Sequence, residues 1–159
     1  MPTIAAEAPR EWRRGEWLVS DDRARLDLAA VHAFISGTYW AAGIPAATLE
    51  KAIGHSLCFG LYRDARQGGF ARVVTDRATF GYLCDVFVSP EHRGAGLGEW
   101  LVQCVLEHPD LAGLRRLCLM TRDAHALYRR FGFRAMPDAG RYLEIHRPDV
   151  YARARGEAP

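Results

Sequence analysis

At 159 residues the chain is long enough for one domain with its own core, and 49% hydrophobic against 25% charged residues exclude a disordered polymer. A formal net charge of +2, with no Lys/Arg run and no zinc-ligand spacing, gives a nucleic-acid reading no footing. No apolar run approaches the roughly 20 residues of a membrane span, and Met1 to Arg14 lack the apolar core of a signal peptide.

Residues 1–14 read as a loose lead, 15–147 as one domain and 148–159 as a frayed tail. Glu16–Ser20 is expected to form a short strand. From Arg23 to about Gly37, Leu26, Ala29, Ala30, Ala33 and Phe34 recur at helical spacing. A second helix should open behind Pro45 and end near Gly54, since proline is favoured in a first turn. Leu57–Arg63 and Phe70–Thr75 flank Gln67-Gly68-Gly69 and predict a hairpin, followed by a third strand over Thr79–Val88. Leu97, Leu101, Cys104 and Val105 share one face of a helix from about Gly96 to His108, which Pro109 should close. Arg116–Thr121 reads as a strand, and Ala124, Leu127, Tyr128 and Phe131 mark a short amphipathic helix ended by Gly132. Two closing strands are expected near Phe133–Met136 and Arg141–His146. This order predicts an α/β domain with a mixed sheet.

Cys58, Cys84, Cys104 and Cys118 each lie in an apolar run, at spacings that match neither a metal site nor a redox pair. They predict buried, reduced thiols and a cytoplasmic protein. The six histidines are scattered without paired metal spacing, so no metal is expected.

The strand ending in Val86-Phe87-Val88 runs through Pro90 into Arg93-Gly94-Ala95-Gly96-Leu97-Gly98, and a helix opens at once. Glycines let a ligand approach the backbone, and a helix N-terminus offers unpaired N–H groups and a partial positive charge. Phosphate or pyrophosphate is the expected occupant, with Arg93 beside it. A dinucleotide-binding unit needs a different glycine spacing and an acid ending the next strand, where this chain has Thr121-Arg122. A P-loop fails as well, because no Gly-Lys-Ser/Thr follows. An unrelated nucleotide binder that shares a glycine turn remains an alternative.

Downstream of the turn comes Ala124-x-x-x-Tyr128-x-x-x-Gly132-Phe133. With these parts in this order, the block from about Phe80 to Phe133 resembles the GNAT superfamily of acyl-CoA-dependent N-acetyltransferases. The resemblance implies a single-domain fold with a mixed sheet of about six or seven strands, flanked by about four helices and splayed at the donor site. It also implies acetyl-CoA as acyl donor, an amine acceptor (small molecule or peptide) and often a homodimer. The pantetheine arm would pair along Val86, Phe87 and Val88. Arg93, Gly94, Ala95, Gly96, Leu97 and Gly98 would take the pyrophosphate, and Thr121, Ala124 and Tyr128 would line the donor site. Thr121 stands where many members have Asn.

Tyr128 would protonate the departing thiolate, although its place on an apolar stripe equally suits a core residue. An alkyl ammonium has a pKa near 10, so only about one molecule in a thousand is nucleophilic at pH 7. Either a carboxylate acting through water or a pocket that binds the neutral amine can compensate. Asp85, alone in an apolar strand, is the candidate base; a hydrogen-bonded partner of a nearby arginine is the other reading. Thr38-Tyr39-Trp40, with Phe59, Tyr62, Phe80 and Tyr82, are candidate acceptor-side residues. A non-catalytic acyl-CoA-binding module of the same fold is the alternative function.

Overall fold

A computed structural model describes residues 8–156. Six strands form one sheet in the order of the chain: β1 Glu11–Arg14, β2 Trp17–Ser20, β3 Leu57–Arg63, β4 Arg66–Thr75, β5 Phe80–Val88 and β6 Arg116–Leu119. The first five run antiparallel, and β6 joins β5 in parallel. A parallel neighbour needs a crossover, which α3, Leu97–Leu106, and the short α4, Pro109–Ala112, supply. Two further helices, α1 Leu28–Ile35 and α2 Ala46–Gly54, lie between β2 and β3. Short α5, His125–Arg129, and α6, Val150–Ala154, follow β6. No helix among the described residues is long and apolar enough to cross a membrane.

Strand alternation divides the core in two. Leu57, Phe59, Leu61, Ala71, Val73 and Leu83 bury one face of the sheet with Leu101, Val102 and Val105 of α3. Cys58 and Phe70 face Val31, Ile35, Leu49 and Ile53 of α1 and α2 on the other.

Several boundaries depart from the sequence expectations. The predicted lead contains β1, because Glu11–Arg14 find a full antiparallel partner in Trp17–Ser20. The long first helix is divided: a 3-10 turn at Arg23–Arg25 precedes α1, whose N-cap Asp27 accepts from the Ala30 N–H at 2.9 Å. The β3–β4 turn falls at 64–65, with Asp64 at φ 48, rather than at Gln67–Gly69. Gly68 and Gly69 lie inside β4, where a Cβ on Gly69 would stand 2.7 Å from the Phe87 carbonyl oxygen. Pro109 opens α4 instead of merely ending α3.

The two closing strands do not form. Neither segment pairs with β6 among the described residues; Pro137 and a 3-10 turn at Ala139–Arg141 lie between them, and Leu143 and Ile145 are 90% and 82% exposed. The expected frayed tail contains α6, whose Tyr151 packs against the second core cluster; residues 157–159 lie outside the described range, as do 1–7 of the lead.

Candidate functional site

Between β5 and α3 the backbone passes a 3-10 turn at Pro90–His92 and takes left-handed angles at Gly94 (φ 86) and Gly96 (φ 72). A Cβ on Gly94 would meet nothing within 4 Å, and one on Gly96 only the Arg14 guanidinium at 3.9 Å. These glycines therefore serve conformation and open space, not internal packing. The Trp100 N–H donates to the Gly96 carbonyl at 3.1 Å, beginning the helix ladder. Ahead of it, the N–H groups of residues 94–99 make no hydrogen bond among the described residues, and no side chain caps α3. A row of unsatisfied donors at a helix N-terminus is the arrangement that binds an anion.

Two arginines flank this row. Arg93 Nε donates to the Val88 carbonyl at 3.1 Å, and Arg14 Nη1 lies 3.5 Å from the Gly96 carbonyl. Sequence reasoning missed Arg14 because it treated that segment as a lead; only the pairing of β1 with β2 carries it across to the turn. His92 packs edge-on against Trp17 at 4.9 Å, fastening the turn to β2, and Arg130 bridges to Glu99 at 2.9 Å, joining α5 to the first turn of α3.

Beside the turn the sheet opens. Pairing between β5 and β6 runs from Phe80↔Arg116 to Leu83↔Leu119 and stops. Among the described residues, Cys84–Val88 have no neighbour on that side, so β5 offers an unpaired edge leading to the glycine turn. On its other side a bulge interrupts the β4 ladder between Phe70↔Phe87 and Arg72↔Cys84. The extra residue is Asp85, at φ 54. One inserted residue changes which face the following side chains occupy. Leu83 belongs to the α3 side, Val86 and Val88 pack against that same cluster, and Phe87 falls on the α1/α2 side, stacked on Phe34 at 3.8 Å.

Asp85 is buried and doubly engaged. Arg72 Nε donates to Oδ2 at 2.8 Å, and Trp40 Nε1 donates to Oδ1 at 2.9 Å. Of the two readings of this acid, the structure thus displays the arginine partnership, with an indole from the α1–α2 loop added. Tyr39 lies edge-on to Trp40 at 5.0 Å, and the Arg122 guanidinium stacks 3.9 Å above the Tyr39 ring.

Tyr128 is 8% exposed, edge-on to Phe133 at 5.7 Å and part of the core cluster that includes α3. Burial, and then the neighbouring Tyr39, push its phenol above the usual range. Thr121 Oγ1 accepts from the Ala124 N–H at 3.0 Å and so shapes the entry to α5; Ala124 packs against the same core. Tyr128 and Thr121 also line a trough of about 880 Å³ along β6, with Leu117, Leu119, Phe133 and Met136. Of the aromatic acceptor lining expected from Phe59, Tyr62, Phe80 and Tyr82, the first three lie elsewhere. Phe59 and Tyr62 are core residues, and Phe80 is exposed at the end of β5 remote from the bulge. Among the described residues, no group of three or more potential ligands could hold a metal ion.

The profile of the acetyltransferase (GNAT) domain matches residues 54–135. A Gibberella zeae protein assigned as an acetyltransferase is 39% identical over 143 residues, covering 76% of this chain and 80% of its own. A crystal structure from Xanthomonas campestris pv. campestris, assigned to the GNAT family, is 48% identical with a TM-score of 0.84, covering 88% of this chain and 99% of that one. At 12% identity, a Clostridium acetobutylicum protein assigned as an acetyltransferase and solved with acetyl-CoA shares the fold, with a TM-score of 0.59 and coverage of 82% and 94%.

Proposed function

The chain belongs to the GNAT acetyltransferase family, and on that premise we propose that it moves an acetyl group from acetyl-CoA to a primary amine by direct attack. The observation that carries this reading is the row of unengaged amides at residues 94–99 beside the unpaired edge of β5. An anionic group linked to an extended amide chain suits both features at once: the pyrophosphate takes the amide donors, and pantetheine lies along Val86, Phe87 and Val88. The Clostridium relative of this fold was solved with the same donor. The Val88 carbonyl is occupied by Arg93, so pairing there requires that guanidinium to turn toward the phosphates.

In the proposed reaction the neutral amine nitrogen attacks the thioester carbonyl, the C–S bond breaks, the departing thiolate takes the Tyr128 proton, and the proton shed by the new amide nitrogen passes to water, from which the phenol is restored. A phenol held above its usual range is protonated at neutral pH, as an acid must be. Asp85 is a poor fit as sole base, because both its oxygens already accept hydrogen bonds. That favours uptake of the neutral amine at the mouth formed by Tyr39, Trp40 and Arg122. Four free thiols suit a reducing compartment and a cytoplasmic enzyme.

Mass spectrometry of the purified protein should find retained CoA species. Acetyl-CoA should then release free thiol with at least one member of a panel of tyramine, spermidine and an alanine-initiated peptide. Tyr128→Phe is expected to lower kcat about 100-fold while the Kd for CoA stays within twofold. Binding of CoA without turnover of any amine would favour the non-catalytic acyl-CoA-binding reading instead.

A further inference from the structure

The hydrogen bond between Trp40 and Asp85 links two parts of the chain that share no element. Trp40 belongs to the loop of residues 36–45 between α1 and α2, whereas Asp85 is the bulged residue of β5. The root of the loop is fixed from within α1 and the loop itself and by Arg155 at the end of α6. Thr38 Oγ1 donates to the Ile35 carbonyl at 2.7 Å, Gly43 N–H donates to Ser36 at 2.8 Å, His32 Nε2 lies 2.8 Å from the Ile44 carbonyl, and Arg155 donates to Gly43. None of these bonds ties the tip to the sheet; Trp40 does.

The receiving end is rigid. Asp85 Oδ2 is held by Arg72, whose Nη1 donates to Ser56 Oγ at 3.1 Å, and that hydroxyl donates to the Ala52 carbonyl in α2 at 2.7 Å. The carboxylate is therefore aimed from two sides, and its remaining buried oxygen needs a donor, since a buried acceptor left unsatisfied carries a desolvation penalty. The indole N–H provides it while 45% of Trp40 stays exposed at the mouth of the gap. Tyr39, 51% exposed, then reaches across to Arg122 in the β6–α5 connection. The loop thus spans the place where β5 and β6 part.

We propose that Trp40 is a positioning residue for the acceptor amine: by docking on Asp85 it holds the α1–α2 loop across the gap, so that Tyr39 and Arg122 form the wall against which the acceptor is oriented. This rests on the acetyl-transfer reading for its substrate, but the docking is testable without it. Besides Arg72, the titratable groups that feel the Asp85 charge are Cys58, Cys84 and Tyr82; burial pushes the two thiols up to about 11 and about 12 and raises the Tyr82 phenol, so none titrates near neutrality.

Trp40→Phe keeps the ring and removes the donor. With whichever amine of the panel is turned over fastest, its KM should rise about tenfold or more, whereas kcat and the KM for acetyl-CoA stay within twofold. Hydrogen exchange of amides 38–43 should speed up at least tenfold in the same variant. Asp85→Asn should raise the amine KM similarly and keep the pH limbs of kcat. The double variant should be no worse than the worse single one. Wild-type KM and unchanged exchange in Trp40→Phe overturn the proposal. So does loss of a pH limb in Asp85→Asn at unchanged KM, which would make Asp85 the base. If wild-type protein acetylates none of the amines, the acetyl-transfer reading fails, and the exchange measurement alone decides the docking.

Discussion

Gly96 shows how one residue joins fold to chemistry. Its left-handed backbone directs the following amides outward, and an added Cβ would touch nothing nearer than the Arg14 guanidinium at 3.9 Å. Gly96→Ala should therefore be limited by backbone strain, costing about 1–2 kcal/mol in a urea melt, and should weaken CoA binding by more than tenfold. A variant that keeps both stability and affinity would show that the turn needs no left-handed residue there. Tyr62 makes the opposite case: its buried hydroxyl has no hydrogen-bond partner among the described residues. Tyr62→Phe should leave stability unchanged or raise it by about 1 kcal/mol. A clear loss would mean that the hydroxyl is satisfied in solution. The four free cysteines carry thiols that burial raises, Cys104 to about 12. A thiol reagent at pH 8 should label the native protein slowly and the urea-unfolded protein fast, because only thiolate reacts.

At the scale of elements, the turn from β4 to β5 is organised by Asp76. Its carboxylate accepts from the N–H groups of Ala78, Thr79 and Phe80 at 3.0, 2.8 and 3.1 Å. The hydrogen bond from the Thr79 hydroxyl, and then these amides, hold its pKa below the ordinary carboxylate range. A depressed pKa contributes stability that is full above the unfolded value of about 4 and fades as pH falls below it. Asp76→Asn should accordingly lower Tm at pH 7, with the gap to wild type narrowing by pH 3; an equal gap at both values would contradict this. Sequence legibility follows the same local logic. The β5–turn–α3 unit could be read because its parts are contiguous and each has its own residue signature. The hairpin turn was misplaced because Gly68-Gly69 looks like a turn, whereas Gly69 is needed for close approach to Phe87. The closing strands expected near Phe133–Met136 and Arg141–His146 do not form, because a run becomes a strand only where a neighbour accepts the ladder. Trp40 was legible as an acceptor-side candidate but its bond to Asp85 was not, and Arg14 and Arg72 were unreadable as site residues, since strand pairing and loop docking, not spacing, bring these side chains to Gly96 and Asp85.

The molecule as a whole is a sheet with two cores, opened at one point. Along the stretch from Cys84 to Glu99 a strand edge inside the sheet and a helix start are both left with unused donors among the described residues. A ligand that binds there and not to the unfolded chain should stabilise the protein by about 2.7 kcal/mol at a hundredfold excess over Kd. Past the opposite end of α3, His108 joins two elements. This buried residue lies 3.0 Å from Asp21 through Nε2 and accepts from the Asp110 N–H through Nδ1, tying the end of β2 to α4. Calorimetric titration with CoA, NAD and ATP, on wild type and on Gly96→Val, tests the central claim most directly. The account predicts that CoA binds wild type more tightly than either nucleotide and that the valine variant loses that binding. CoA binding no tighter than NAD or ATP, or undiminished in the variant, would contradict it.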